Sequence, residues 1–179
     1  MFKTKIISLH INKINLIYAR MHNDKPYPAP LFTIGTKLMF ELHPQLQQDC
    51  LEIGRFSLCR LLLMNESRYP WFILVPEREK LTEIYQMNMA DQTLLMQESS
   101  RLAHGLAEAF AADKLNIAAI GNLVPQLHVH HVVRYRSDPA WPAPVWGKFS
   151  PAPYDETEIA KVIARLKSVL PEAFEWSSA

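Results

Sequence analysis

The segment Gln126-Leu-His-Val-His-His-Val-Val-Arg134 concentrates three imidazoles among valines and a leucine. Apolar residues alternate with polar ones there, which predicts a β-strand over residues 126–135. Side chains on a strand alternate sides, so Gln126, His128 and His130 form one row while Leu127, Val129 and His131 form the other. Burying an unpaired imidazole is costly, and such a row must meet a cleft or hydrogen-bonding partners. Three chemistries compete for it. The histidines could be structural, each satisfied by neighbouring backbone. A His-x-His pair could give two cis metal ligands, but no cysteine pair or nearby His/Asp/Glu cluster supplies a third and fourth, so no metal site is assigned. In phosphoryl or nucleotidyl transfer, one neutral imidazole attacks phosphorus while a second, with amide donors, steadies the charged oxygens.

The elements that must position this strand follow from local patterning. Runs at 51–56, 58–64 and 71–75 are β-rich, separated by turn-forming groups, and predict three neighbouring antiparallel strands. Pro76 ends the third, and a short helix is expected near 81–86. Asn88 followed by Asp91 resembles a capping box, and Leu95, Leu102, Leu106, Ala109 and Phe110 recur at helical spacing behind it, predicting the main helix to about residue 112. A strand is expected at 116–120 and a turn at 121–125. The 138–147 segment, rich in proline and tryptophan, is read as extended. A final helix is expected over 155–170, with Asp155 and Glu158 at capping-box spacing. Strands, then helices, then strands imply an α+β domain with an antiparallel sheet, one long and one short helix, and a C-terminal helix. The domain reading is an arm over residues 1–38, a principal domain over 39–150 and a helical extension over 151–179. The arm carries Lys25-Pro-Tyr-Pro-Ala-Pro30; a docked strand within 6–16, or a natural start at Met39, are the alternatives.

Composition narrows the partners. With 19 basic and 18 acidic residues the net charge is +1, which gives no broad field for a long nucleic acid or an anionic membrane. Any phosphate must be gripped locally. The two cysteines, Cys50 and Cys59, suggest neither a disulfide framework nor a zinc knuckle. No apolar run approaches a membrane span or a signal peptide, so a cytoplasmic protein is expected.

The stretch Gly121-Asn-Leu-Val-Pro-Gln-Leu-His-Val-His-His-Val-Val-Arg134 resembles the histidine-triad signature, a His-φ-His-φ-His-φ-φ strand (φ apolar) preceded by a glycine-amide turn. Met64-Asn65 followed by Trp71-Phe-Ile-Leu-Val-Pro-Glu-Arg78 looks like that family's strand pair ending in a Pro-Lys/Arg step. The resemblance covers roughly residues 51–147. It implies that His128 is the nucleophile and His130 the third histidine, which contacts a non-bridging oxygen and helps the leaving group take a proton. Gln126 stands where the family has its first histidine. An amide donates and accepts hydrogen bonds but carries no charge, so Gln126 could position a backbone or a ring, and the position is expected to tolerate either side chain. Asn122 matches an amide residue that reaches the phosphate, and Asn65 a residue that holds the ribose hydroxyls; ordinary turn chemistry is the alternative for Asn122. The implied substrate is a small nucleotide with a leaving group on its α-phosphate: a dinucleoside polyphosphate, a nucleoside phosphoramidate or an adenylated compound. No cofactor is implied, and a homodimer is. A nucleotide-binding module without turnover is the alternative, as is a metal-dependent enzyme completing its ligands with His43 or His104.

Away from this row, His131 is expected to bond a backbone carbonyl on the core side, and His104 to be structural. Trp71, Trp141 and Trp146 either stack on a base or cover the core. Arg134 and Arg136 read as solvated charges at the strand end, with assistance to an anionic substrate as the alternative.

Overall fold

A computed structural model of the protein describes residues 40–177. The arm expected over 1–38, with its alternative strand at 6–16, lies outside the described residues. The chain forms α1 (Pro44–Asp49), β1 (Cys50–Arg55), β2 (Cys59–Met64), β3 (Trp71–Pro76), a 3-10 turn (Ile84–Gln86), α2 (Met89–Phe110), β4 (Lys114–Ala118), β5 (Val129–Arg134), α3 (Glu156–Lys167) and β6 (Glu175–Trp176). Every strand pairing is antiparallel, and the six-stranded sheet runs β4-β5-β3-β2-β1-β6. This is the α+β architecture expected from the order of strands and helices.

Alternation divides the sheet into two buried faces. On one, Leu61, Leu63, Phe72, Leu74, Val129 and Val133 pack against Leu95, Leu102, Leu106 and Phe110 of α2, with Val162 and Leu166 of α3 in the same core. On the other, Leu62, Trp71, Ile73, Val75 and Val132 pack against Leu42, Leu46, Ala140 and Val145. Central β3 is consequently buried at every residue. The small helix α1, which periodicity did not reveal, is short but well started: Pro44 opens it and the His43 ring accepts a hydrogen bond from Gln45 N.

The long helix begins where its capping residues require. Asn88 accepts from Asp91 N at 2.9 Å, and Arg78 grips the Asp91 carboxylate with two hydrogen bonds of 2.7 and 2.8 Å. That guanidinium leads the interactions that hold the Asp91 carboxyl below its usual range. One turn-mate of the apolar stripe is charged and buried: Glu98 accepts the backbone N–H groups of Leu58 and Cys59 at 2.8 and 3.0 Å, fastening the start of β2 to α2. Glycine is required at position 54, where the ladder shifts register and a Cβ would sit 2.2 Å from Glu175 O. That close approach is what lets β6 pair with β1.

Three sequence expectations shift. The strand expected over 126–135 is β5, Val129–Arg134, because Pro125 precedes it and Leu127 N donates to Leu81 O rather than to a ladder partner. The strand expected at 116–120 lies two residues earlier, where Lys114 pairs with Arg134 and Ala118 with His130. Arg134 is not a solvated strand-end charge. It is 1% exposed and donates to Asp138, to Asn116 and to Ala143 O. Arg136, by contrast, is exposed. Among the described residues no helix is long and apolar enough to cross a membrane.

His131 sits on the α2 face, fully buried, with Nδ1 3.2 Å from Val129 O and Nε2 2.8 Å from Ser99 Oγ. A carbonyl only accepts, so Nδ1 carries the proton and the serine hydroxyl donates to Nε2. Burial lowers the pKa of the ring to about 4 from an ordinary 6.5. The unfolded chain therefore takes up a proton near pH 6.5 that the folded chain refuses until about pH 4. His131 contributes stability that is fully present above pH 6.5 and is lost as the pH falls to about 4. Unfolding free energies should decline across that window, by about 3 kcal/mol from this residue. A folded His131→Gln variant should show a shallower decline in denaturant titrations at matched pH values; an unchanged slope would contradict this assignment.

Candidate functional site

Residues 126–128 cross from the 121–125 turn into β5, and their backbone fixes the first ring. His128 is 5% exposed, and its Nδ1 lies 2.7 Å from Gln126 O. The proton of this bond belongs to the imidazole, because the carbonyl has none to give. Nε2 is left with its lone pair. The same peptide unit is held at its other end by Leu127 N, which donates to Leu81 O at 2.8 Å.

The second ring receives the opposite tautomer. Antiparallel pairing sets Ile73 opposite His130 and Trp71 opposite Val132, so Trp71 reaches His130 on a diagonal. Its indole N–H donates to His130 Nδ1 at 2.9 Å. That nitrogen must be unprotonated, and Nε2 of the neutral ring carries the hydrogen. Burial, with the neighbouring His128 ring as the next cause, lowers the pKa of His130 to about 3. His130 is thus neutral at neutral pH, and its ring N–H is hydrogen-bonded to the Ile120 backbone, which partly offsets the lowering.

The two rings meet edge to face with centroids 4.8 Å apart, so this wall of the sheet sets a lone pair beside an N–H held by the Ile120 backbone. Trp146 packs its ring 5.6 Å from both His130 and Trp71 and completes an apolar surround. Arg134 holds that wall in place. Its guanidinium spans Asp138 and Ala143 O, and Asp138 also accepts the N–H groups of Tyr135 and Ala140. Burial pushes the Asp138 carboxyl up, but these hydrogen bonds outweigh it and hold the group below its usual range.

The remaining sequence candidates fall in different places. Gln126 turns its side-chain amide to the backbone of the segment before α1, accepting from His43 N and donating to Glu41 O, both at 2.9 Å. Asn122 is exposed in the turn before the histidines. Asn65 follows β2 at the Trp71 end of β3, whereas His128 lies beyond the Leu74 end, and Asn65 Oδ1 accepts from Tyr154 N at 2.9 Å. Beside Trp71 on the same sheet face is a cavity of about 170 Å³ whose lining includes Met64, Glu66, Tyr69, Val145 and Phe149. Trp141 lies partly exposed against Arg134, and His104 is exposed on α2 beside Glu108. Among the described residues no group of three or more His, Cys, Asp or Glu side chains is arranged to hold a metal ion. Sequence reasoning missed the indole donor of Trp71 and the amide bridge of Gln126. Both are contacts between segments far apart in the chain, and local spacing carries no signal of either.

The thiols stand apart from this chemistry. Burial, then the charge of Asp49, pushes Cys50 up to about 12, and burial with Glu98 raises Cys59 further. Neither supplies a thiolate at neutral pH.

The HIT domain model matches residues 45–137. A histidine triad protein from Marinobacter aquaeolei is 51% identical, with a TM-score of 0.72, over 74% of this chain and 96% of its own. One from Bradyrhizobium japonicum is 44% identical, with a TM-score of 0.72, over 73% of this chain and 98% of its own. One from Sinorhizobium meliloti is 43% identical, with the same TM-score of 0.72, over 73% of this chain and 97% of its own. No curated protein sequence matches the chain. A family match across more than half of the chain, together with close structural neighbours that share its sheet, places this protein in the histidine-triad (HIT) family.

Proposed function

We propose that the protein is a nucleotide hydrolase or nucleotidyl transferase that works at the α-phosphate through a nucleotidyl-His128 intermediate. Membership of the family supports nucleotide hydrolase or transferase chemistry in general. The observation that carries the finer reading is the 2.7 Å bond from His128 Nδ1 to Gln126 O, which leaves a nucleophilic lone pair on Nε2. In the first displacement Nε2 forms a bond to the α-phosphorus, and the bond from phosphorus to the leaving group breaks with its electron pair. The ring gains positive charge, which the Gln126 carbonyl steadies through Nδ1–H. His130 Nε2–H exchanges its Ile120 backbone acceptor for a non-bridging oxygen, and the exposed Asn122 amide is assigned the same role from the turn. Water or another acceptor then attacks phosphorus, loses a proton to solvent, and releases the nucleoside monophosphate and the free imidazole.

The neutral state of His130 bears on the leaving group. A phosphate or carboxylate departs as a stable anion and needs no proton from the site, whereas the amine of a phosphoramidate does. This supports a dinucleoside polyphosphate or an adenylated compound over a phosphoramidate. The nucleoside is assigned to the 170 Å³ cavity beside Trp71, and Asn65, which follows β2 next to the lining residue Met64, is assigned to the ribose. No step is routed through a metal ion. A homodimer is proposed from apolar side chains left exposed on α2 and on the edge strand β4: Met89 at 75%, Met96 at 66% and Ile117 at 48%.

Incubated in chelator with a diadenosine polyphosphate, the protein should release AMP, and a folded His128→Ala variant should lose at least about a thousandfold of that rate. Nucleotide binding without release would favour a non-catalytic module, and loss of activity in chelator would sink the metal-free sequence. Trp71→Phe keeps the apolar wall but removes the donor that sets the His130 tautomer. Its kcat should fall about tenfold or more with little change in KM; a rise in KM alone would instead mark Trp71 as a binding surface. Light scattering of the purified protein should return twice the chain mass of 20.6 kDa.

A further inference from the structure

Gln126 sits at a junction of two backbone segments and the reacting ring. Its side-chain Oε1 accepts from His43 N at 2.9 Å and its Nε2 donates to Glu41 O at 2.9 Å. The residue between those two partners, Leu42, is buried in the apolar cluster that also contains Trp71 and Leu46. The main-chain carbonyl of Gln126, meanwhile, receives the Nδ1–H of His128. The amide therefore bridges a carbonyl and an N–H two residues apart, as a strand partner would, while the same residue's backbone sets the proton on the nucleophile.

We infer that Gln126 is a positioning residue, whose side-chain amide fastens the Glu41–His43 segment to the peptide that holds the His128 tautomer. The inference rests on His128 being the nucleophile. Leu127 N–H, bonded to Leu81 O, fixes one side of the 126–127 peptide. The amide strap fixes the Cα side of residue 126, so the carbonyl is held against rotation from both directions. Glutamine suits this task for a geometric reason. An amide presents its donor and acceptor side by side at one end, whereas the two nitrogens of an imidazole point in diverging directions. A histidine at this position cannot close both bonds to residues 41 and 43. The glutamine is thus not an inert stand-in for the family's first histidine, and the position does not accept either side chain equally.

Two kinds of variant separate this role from general stability. Gln126→Leu removes both strap bonds. His43→Pro removes the N–H that Gln126 accepts together with the ring that caps α1, at a residue whose φ of −56° and ψ of 135° suit proline. His43→Ala is its control, keeping that N–H and losing the ring. The readout is the nitrogen NMR spectrum of the histidines, in which the wild-type His128 should show Nδ1 protonated and Nε2 free, alongside kcat and KM for a diadenosine polyphosphate. Gln126→Leu, Gln126→His and His43→Pro should each yield mixed His128 tautomers and a kcat lowered about tenfold, with KM changed less than about threefold. His43→Ala should lose less than about threefold in kcat. If Gln126→Leu does not fold, the His43→Pro and His43→Ala pair decides. Retention of the wild-type tautomer and kcat in Gln126→Leu, or equal behaviour of the two His43 variants, would overturn the role. A wild-type protein that turns over no nucleotide would instead defeat the proposed activity, and the tautomer measurement would still judge the strap.

Discussion

Burying imidazoles in a sheet with both faces covered forces a decision about each proton, and the chemistry of this protein depends on how those decisions fall. A buried ring that stays neutral needs a donor for one nitrogen or an acceptor for the other. Around β5 the partners have fixed roles: the carbonyls of Gln126 and Val129 can only accept, and the indole of Trp71 can only donate. The protonated nitrogen is therefore Nδ1 on His128, Nε2 on His130 and Nδ1 on His131. The start of β5 and the residue before it thus set a lone pair beside an N–H that the Ile120 backbone holds, while the third imidazole is committed to the core.

The scaffold serves this arrangement through a few contacts that span long stretches of chain. The β3/β5 register brings Trp71 within reach of His130 and makes the strand interior continuous with the site. The Arg134–Asp138 pair, with both side chains 2% exposed, turns the 138–146 segment back over the sheet so that Trp146 packs on His130. Breaking a buried pair of this kind by removing one partner costs about 3–5 kcal/mol, because the other charge is stranded. At the opposite end of the sheet, Glu98 ties the start of β2 to α2 with a carboxylate rather than an apolar side chain. These polar anchors sit where strands begin or end, and backbone groups there have no ladder partner.

The row of histidines was legible because alternation with a period of two needs no knowledge of neighbours. Leu127, Val129 and His131 do face the helices, and His130 and Val132 the other side, although β5 itself starts only at Val129. The helix caps at Asn88 and Asp155 were legible for the same reason, since a cap and its partner are separated by one turn. Arg134 misled because a charge at a strand end is solvated unless something distant covers it, and Asp138 and Asn116 do. Glu98 gave no sign of its role, because its acceptors' partners lie about 40 residues away.

The order of apolar runs, caps and turn residues thus determined the elements and their faces, including the row of Gln126, His128 and His130, because these are set by interactions within a few residues. Only the tertiary structure decided the protonation pattern and the partner of Gln126. A tautomer is chosen by whichever donor or acceptor the fold brings to the second nitrogen, and those groups arrive from 59 residues away for Trp71 and 83 for His43.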